Sequence, residues 1–469
     1  MRFFLLSVFL LFTLPAAAQS RRVNPAAAPT PTVAAELTVK QMYDEANSYN
    51  KVKFAEYQQK KIAYSEKLRL DTERQRRQLA AKYATTAGAR ADLSADDLYY
   101  VGMLQWIAEN MDETAVFLKK YLDAGGPSAE RGQNARYILA VVSAKQKKFD
   151  DAVKYGAAYE KGGAIKISNT WRINSELAKA YSADKQYAAA GEFASKAYDA
   201  SKALLKDPTS NVNPVDAVLD SGMLLFEAHR DAGNTKGADA ALDDMKQMAV
   251  TLKSPLFFFY AADKLITYQI DTGRKAQAKE TQVAVAVQAG KDFGALGPDN
   301  DALLRLKKRE SQYRLLREPA PELIGVDQWF PGKPQTLASL KGKVVLLDFW
   351  ATWCGPCFDA FPALAEWHQD LTADGLVILG VTRYYGNGEG FELDPPHEIA
   401  FLKRFKENHN LGYDFVVMNG QEAQMRYAAT ALPTTVLIDR KGVIRYIDSG
   451  VNPSRIEELR AMVLKLLKE

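Results

Sequence analysis

DFWATWCGPC occupies Asp348 to Cys357 and holds both cysteines of a 469-residue chain. The run that enters it, KVVLLDFW from Lys343 to Trp350, is short, apolar and without alternation, which predicts a strand buried on both faces. Gly355-Pro356 then predicts a turn that opens a helix, with Phe358 to Leu371 helical in pattern. This arrangement puts Cys354 at a helix start, beside backbone N–H groups that lack intrahelical partners. Cys357 falls one helical turn further in.

Three uses of such a pair differ in what they need. A structural staple gains little here, because a loop of two intervening residues barely constrains the unfolded chain. A structural zinc site needs four ligands. There is no second Cys pair, and His229, His368, His397 and His409 form no ligand motif with this one, so no metal is expected. Thiol–disulfide exchange remains. The thiolate is the reactive form, and a helix N-terminus favours it. Cys354 is then the nucleophile that forms a mixed disulfide, and Cys357 the resolving thiol that releases it. Pro356 stiffens the first turn and has no N–H to leave unsatisfied. The only redox group implied is the Cys354–Cys357 disulfide, with no cofactor besides it.

Outward from this stretch the C-terminal part reads as an α/β domain over residues 319–469. Pro319 and Pro321 end a long helical texture. LVILGV from Leu376 and DFVVM from Asp414 are further strands, and Glu398 to His409 is a helix. TTVLID from Thr434 and VIRYID from Val443 flank Asp439-Arg440-Lys441-Gly442 as a hairpin. Ser454-Arg455-Ile456-Glu457 reads as a capping box opening a last helix with Leu459, Val463 and Leu466 inside. The segment from Thr382 to Glu398, rich in Gly, Pro and aromatics, either shapes partner access or is a surface excursion.

Residues 36–312 are rich in Ala, Leu, Lys, Glu and Gln at helical spacing. A weak repeat of 38 residues relates Leu139 to Leu177, Ala140 to Ala178, Phe149 to Tyr187 and Ala152 to Ala190, and reaches back to Gly102. A second pair, Gly233 and Gly273, is offset by 40. Small residues let paired helices approach, and an aromatic after the turn fills the gap. In SPLFFFYAADKLITY, helical spacing groups Leu256, Phe259 and Tyr260 on one face, expected to be core. The expected class is a multidomain chain: an N-terminal all-α helical repeat followed by an α/β domain.

Met1-Arg2, the apolar run to Leu14, Pro15 and Ala16-Ala17-Ala18 predict a secretory signal peptide over residues 1–18. A Pro- and Ala-rich linker follows at 19–35. The chain is thus expected to be exported, soluble, and extracytoplasmic or periplasmic. A net charge of +4 offers no case for nucleic acid as partner.

The quoted stretch, with LKGKVVLLDFWATWCGPC around it and ALPTTVLID further on, resembles the thioredoxin superfamily and its exported TlpA/ResA-like branch. Leu177, Ala178, Tyr181, Ala190 and Ala197 resemble the tetratricopeptide class of helical repeats, though without the Phe expected at Ala194. The first resemblance implies a thioredoxin fold and thiol–disulfide oxidoreductase activity. It implies a cis bond before Pro433, and substrate contacts from Trp353, Gly355, Pro356 and Leu432. It also makes Asp348 the proton acceptor for Cys357; a lone carboxylate inside an apolar strand has a raised pKa. Pro362 matches the family's helix-kinking proline. Phe358 and Ala360 depart from the branch, which often has a basic residue and a Glu there. That departure withholds the branch's specialised partners.

Gly-Pro between the cysteines resembles reducing members, so the expected function is reduction of disulfides in extracytoplasmic proteins. A membrane thiol would donate the electrons, and the helical region would position partners. The alternatives are an interaction scaffold with a redox-sensing or tethering domain, or a disulfide oxidant or isomerase. The peroxidatic pattern Pro-x-x-x-Thr-x-x-Cys is absent around Cys354.

Overall fold

The computed structural model describes residues 36–125, 128–163, 165–297, 300–388 and 390–469. The expected signal peptide and linker lie outside the described residues. Among the described residues, no helix is long and apolar enough to cross a membrane. The chain forms two compact units, Met1–Ser128 and Ala129–Glu469.

Among the described residues of the first unit four helices follow one another: α1 (Val39–Gln59), α2 (Glu66–Gly88), α3 (Ala95–Ile107) and α4 (Met111–Asp123). Thr38 and Ser94 close reciprocal capping boxes with Gln41 and Asp97, which satisfies N–H groups the helix starts would leave bare. Gly102 sits where α3 meets α4. A Cβ there would lie 2.7 Å from Leu118, so this close approach requires glycine.

The second unit opens with α5 (Ala129–Lys145), α6 (Phe149–Glu160), α7 (Ile167–Ala183), α8 (Tyr187–Leu204), α9 (Pro214–Asp231), α10 (Thr235–Thr251), α11 (Pro255–Asp271), α12 (Lys275–Asp292) and α13 (Asp301–Leu315). The repeat positions Ala140, Ala152, Ala178 and Ala190 are all buried. Phe149 heads α6 and stacks on Tyr181 of α7 with ring centroids 4.3 Å apart. The expected face of α11 is wrong in detail. Leu256 is 56% and Tyr260 40% exposed, while Phe257, Phe258 and Phe259 are buried. Three consecutive phenylalanines outweigh the two flanking residues, so the helix turns its core stripe onto Phe258, Ala261, Ala262, Leu265 and Ile266.

After α13 the chain pairs with the far edge of a sheet: Arg317 N–H donates to Ile444 O at 2.8 Å, and Ile444 N–H to Glu318 O at 3.0 Å. The α/β elements then run β1 (Val326–Phe330), β2 (Val344–Phe349), α14 (Phe361–Leu371), β3 (Leu376–Arg383), β4 (Asn387–Gly388), β5 (Phe391–Glu392), α15 (Pro395–Asn408), β6 (Asp414–Met418), α16 (Glu422–Arg426), β7 (Thr434–Ile438), β8 (Ile444–Ser449) and α17 (Pro453–Lys468). One mixed sheet has the order β1-β6-β3-β2-β7-β8. β2 lies parallel to β3 and antiparallel to β7, and all six of its residues are buried, as its unbroken apolar run predicts. β1 is unforeseen: Asp327 and Gln328 interrupt its pattern because it is an edge strand, paired only to β6. The last helix is capped by Asn452, which accepts from Arg455 N–H at 2.9 Å, two residues before the expected Ser454. Pro453 at the first helical position explains the earlier start.

The two faces of β2 feed two cores. Val344, Leu346 and Trp350 join α14, α15 and α17, including the expected Leu459, Val463 and Leu466. Val345, Leu347 and Phe349 join a core that continues through Ile444 and Ile447 into Tyr313, Leu306 and Leu265 of α13 and α11. One face of the sheet is therefore covered by the helical region itself.

Candidate active site

Cys354 and Cys357 are joined as a disulfide at the end of β2. The backbone between them forms a 3-10 turn, Gly355–Asp359, and the α-helix proper begins only at Phe361. This corrects the expected helix start. Cys354 precedes the 3-10 turn and lies seven residues before α14, beyond the reach of a helix dipole that fades within one turn. Pro362 stands in the first turn of α14 rather than at a kink within a longer helix, and it marks where the 3-10 turn gives way.

Accessibility separates the two sulfurs' residues. Cys357 is fully enclosed, whereas Cys354 keeps 4% exposure. Around it Gly355 and Pro356 are exposed, and Trp353 stands 58% exposed. Trp353 meets the ring of Tyr385 edge-on at 5.4 Å. Tyr385 belongs to the Thr382–Glu398 segment, so the base of that segment touches the site. Its backbone is anchored by Glu398, whose carboxylate accepts from the N–H groups of Tyr385 at 2.8 Å and Gly386 at 2.9 Å. Arg383 lies over the Tyr385 ring at 4.1 Å.

Asp348 shares a β2 face with Val344, Leu346 and Trp350 by the period-two alternation of a strand. The core on that face also contains both cysteines. Asp348 is fully buried, and neither carboxylate oxygen has a hydrogen-bond partner. Burial alone pushes its carboxyl up to about 7. Trp350 Nε1 and the Tyr413 hydroxyl are likewise buried without partners. Burial, and then the neighbouring Asp348 carboxylate, hold the Tyr413 phenol well above its usual range. Gly380 pairs with Asp348 across β2 and β3. A Cβ there would stand 3.1 Å from Trp350 Nε1 and 3.2 Å from the Tyr413 ring, so a side chain at this position would crowd both groups. Neither Tyr413 nor Gly380 was expected from the sequence. A glycine inside a strand was the one signal available.

The Leu432–Pro433 peptide is cis, in agreement with the expectation for Pro433. Pro433 lines a crevice with Ala360, Leu364 and Trp367 on one side and Tyr446, Ile456 and Leu459 on the other. Asp448 and Arg455, paired at 3.1 Å, supply its charge. Leu432 packs at the border of both cores. Among the described residues no cluster of His, Cys, Asp and Glu could hold a metal ion.

The model of the AhpC/TSA family matches residues 316–447. Protein DipZ of Mycobacterium bovis is 34% identical over 154 residues, which are 32% of this chain and 21% of DipZ, so the chain spans about a fifth of that relative. Thiol-disulfide oxidoreductase ResA of Bacillus thuringiensis is 30% identical over 140 residues, 30% of this chain and 73% of ResA. A solved thiol:disulfide interchange protein of the thioredoxin family from Chlorobium tepidum aligns over 32% of this chain and 95% of its own at 24% identity, with a TM-score of 0.26. Through its C-terminal third the chain belongs to the ResA-type thiol-disulfide oxidoreductases of the thioredoxin superfamily.

Proposed function

We propose that the protein is an exported reductase of disulfides in extracytoplasmic proteins, working through the Cys354–Cys357 dithiol. The observation that carries this reading is the placement of a disulfide in which Cys354 keeps 4% exposure and Cys357 none, with an unpartnered carboxyl on the same face of the strand. In the reduced form the Cys354 thiolate attacks a sulfur of the substrate disulfide. That S–S bond breaks, the departing substrate sulfur takes up a proton, and a mixed disulfide forms at Cys354. Cys357 then gives its proton to the Asp348 carboxylate, attacks Cys354 Sγ, and releases the second substrate thiol. The substrate gains two electrons and the enzyme dithiol loses them; a thiol donor at the membrane surface returns them in the next cycle. A carboxyl poised near 7 suits this exchange, because it can both accept and return the proton at neutral pH.

Trp353, Gly355, Pro356, Leu432 and Pro433 would form the surface on which the substrate strand rests. The apolar start of the sequence supports export. The helical region, as the larger part of the chain, would select partners. The test is insulin reduction by the full chain with dithiothreitol as donor. Turnover abolished by Cys354→Ser supports the reading; a Cys354→Ser chain as active as the wild type removes it.

A further inference from the structure

The segment Ala428–Thr434 leads from α16 into β7 and carries Leu432 and Pro433. Its hydrogen bonds extend beyond the α/β elements into α13. The carbonyl of Ala428 accepts from Gln312 Nε2 at 3.3 Å. The same Nε2 donates to Ser449 Oγ at 2.9 Å. Ser449 Oγ and Thr434 Oγ1 are 2.7 Å apart, across a register pair of β7 and β8. Thr434 Oγ1 in turn donates to the Ala431 carbonyl at 2.6 Å. Gly450 N–H, next to Ser449, donates to the Pro433 carbonyl at 2.7 Å. Both ends of the segment are thus reached from a single buried amide.

The orientation of that amide is fixed. Arg309, one turn earlier on α13, donates to Gln312 Oε1. A guanidinium can only donate, so the carbonyl end of Gln312 must face it and the NH2 end must face the segment. Arg309 is itself held on three sides. It bonds Asp263 at 2.8 Å and the Ile447 carbonyl at 2.7 Å, and pairs with Asp448 at 3.5 Å. Ala428 has φ +51°, the left-handed residue that closes α16 with Ala429 N–H donating to the Gln424 carbonyl at 2.7 Å, so the carbonyl that meets Gln312 leaves from a defined turn. Packing alone would need apolar residues here; a buried amide with every polar end directed is a positional device.

We propose that Gln312, oriented by Arg309, is a positioning residue for disulfide exchange: it holds Ala428–Thr434 in the shape that receives the substrate chain, so the helical region contributes to substrate binding from inside the core. This rests on the reading of Cys354–Cys357 as an exchange site. The experiment uses the full chain carrying Gln312→Met, which keeps the volume and removes the amide, and separately Ser449→Ala, which breaks the link to Thr434 and leaves α13 intact. Reduction of a disulfide-bonded peptide is followed at steady state with dithiothreitol as donor, and the reduction potential of the cysteine pair is titrated against glutathione.

Both variants should raise KM by about tenfold, equivalent to about 1.4 kcal/mol. The kcat should stay within about twofold and the potential should not move, a split that general loosening of the fold would not produce. If Gln312→Met does not fold, Ser449→Ala decides by itself. A wild-type KM in a folded variant, or a kcat and potential that shift together with KM, overturns the proposal while leaving the exchange site standing. A wild-type chain that reduces no disulfide overturns both.

Discussion

Replacing Asp348 by Asn removes an ionisable group from a site with no hydrogen-bond partner, and its effect can be worked out in advance. The carboxyl rises from 3.8 to about 7 in the folded protein because it is buried. At about 1.4 kcal/mol per pH unit, ionising it costs the fold about 4 kcal/mol more than it costs the unfolded chain. The sign follows from proton binding. Between the two values the folded state keeps a proton that the unfolded state has released, so stability falls as pH rises through the window from about 4 to 7. Below the window the cost is absent, and above it the cost is constant. The substituted amide carries no such charge, so the stability of Asp348→Asn minus that of the wild type should grow by about 4 kcal/mol between pH 4 and pH 8. The assay is guanidinium unfolding of the oxidised chain at stepped pH, followed by fluorescence of the tryptophans, of which Trp329, Trp350, Trp353 and Trp367 lie in the α/β part. A difference constant to within about 1 kcal/mol over this window would refute the reasoning, because the carboxyl would then be solvated. The same variant should slow resolution of the Cys354 mixed disulfide by about a hundredfold and leave alkylation of Cys354 unchanged.

Two further outcomes can be checked directly. Cys357→Ser should accumulate a covalent adduct with a disulfide-bearing protein that dithiothreitol releases and peptide mapping locates at Cys354; an adduct elsewhere, or none, contradicts the assignment of nucleophile and resolver. Arg309→Met should lower stability by about 2 kcal/mol, because it takes the guanidinium away from Asp263, which keeps the Tyr313 hydroxyl, and from Asp448, which keeps Arg455. A thermal midpoint within experimental error of the wild type would show that those carboxylates find other partners.

What the sequence disclosed depended on how local the cause was. β2 was legible because its burial on both faces is written in six consecutive residues, and the pairing of Cys354 with Cys357 because both lie within one turn. Leu459, Val463 and Leu466 were legible for the same reason: helical spacing within one element. β1 was not, since an edge strand admits polar residues, and a register shift between Val326 and Gln328 breaks its alternation at Asp327. The face of α11 was misjudged where three adjacent phenylalanines compete with spacing. The surroundings of Asp348 were half visible. Its burial followed from the strand, but Tyr413 and Gly380 come from elsewhere in the chain, and their approach depends on sheet register. Gln312 was invisible altogether, because the partners of its NH2 group lie 116 and 137 residues away, and Arg309 beside it in the chain does not announce them.

The core that runs from β2 through Ile447 into α13 and α11 has a practical meaning for dissecting or transplanting this protein. The change of sequence texture near Pro319 invites a cut there, yet a fragment beginning at that point would present Ile444, Ile447 and their neighbours to water as a bare apolar wall. A recombinant catalytic piece that behaves as a monomer would have to carry α11 to α13 with it. The natural seam for a graft lies further back in the chain, at Ser128, where one compact unit ends and the next begins.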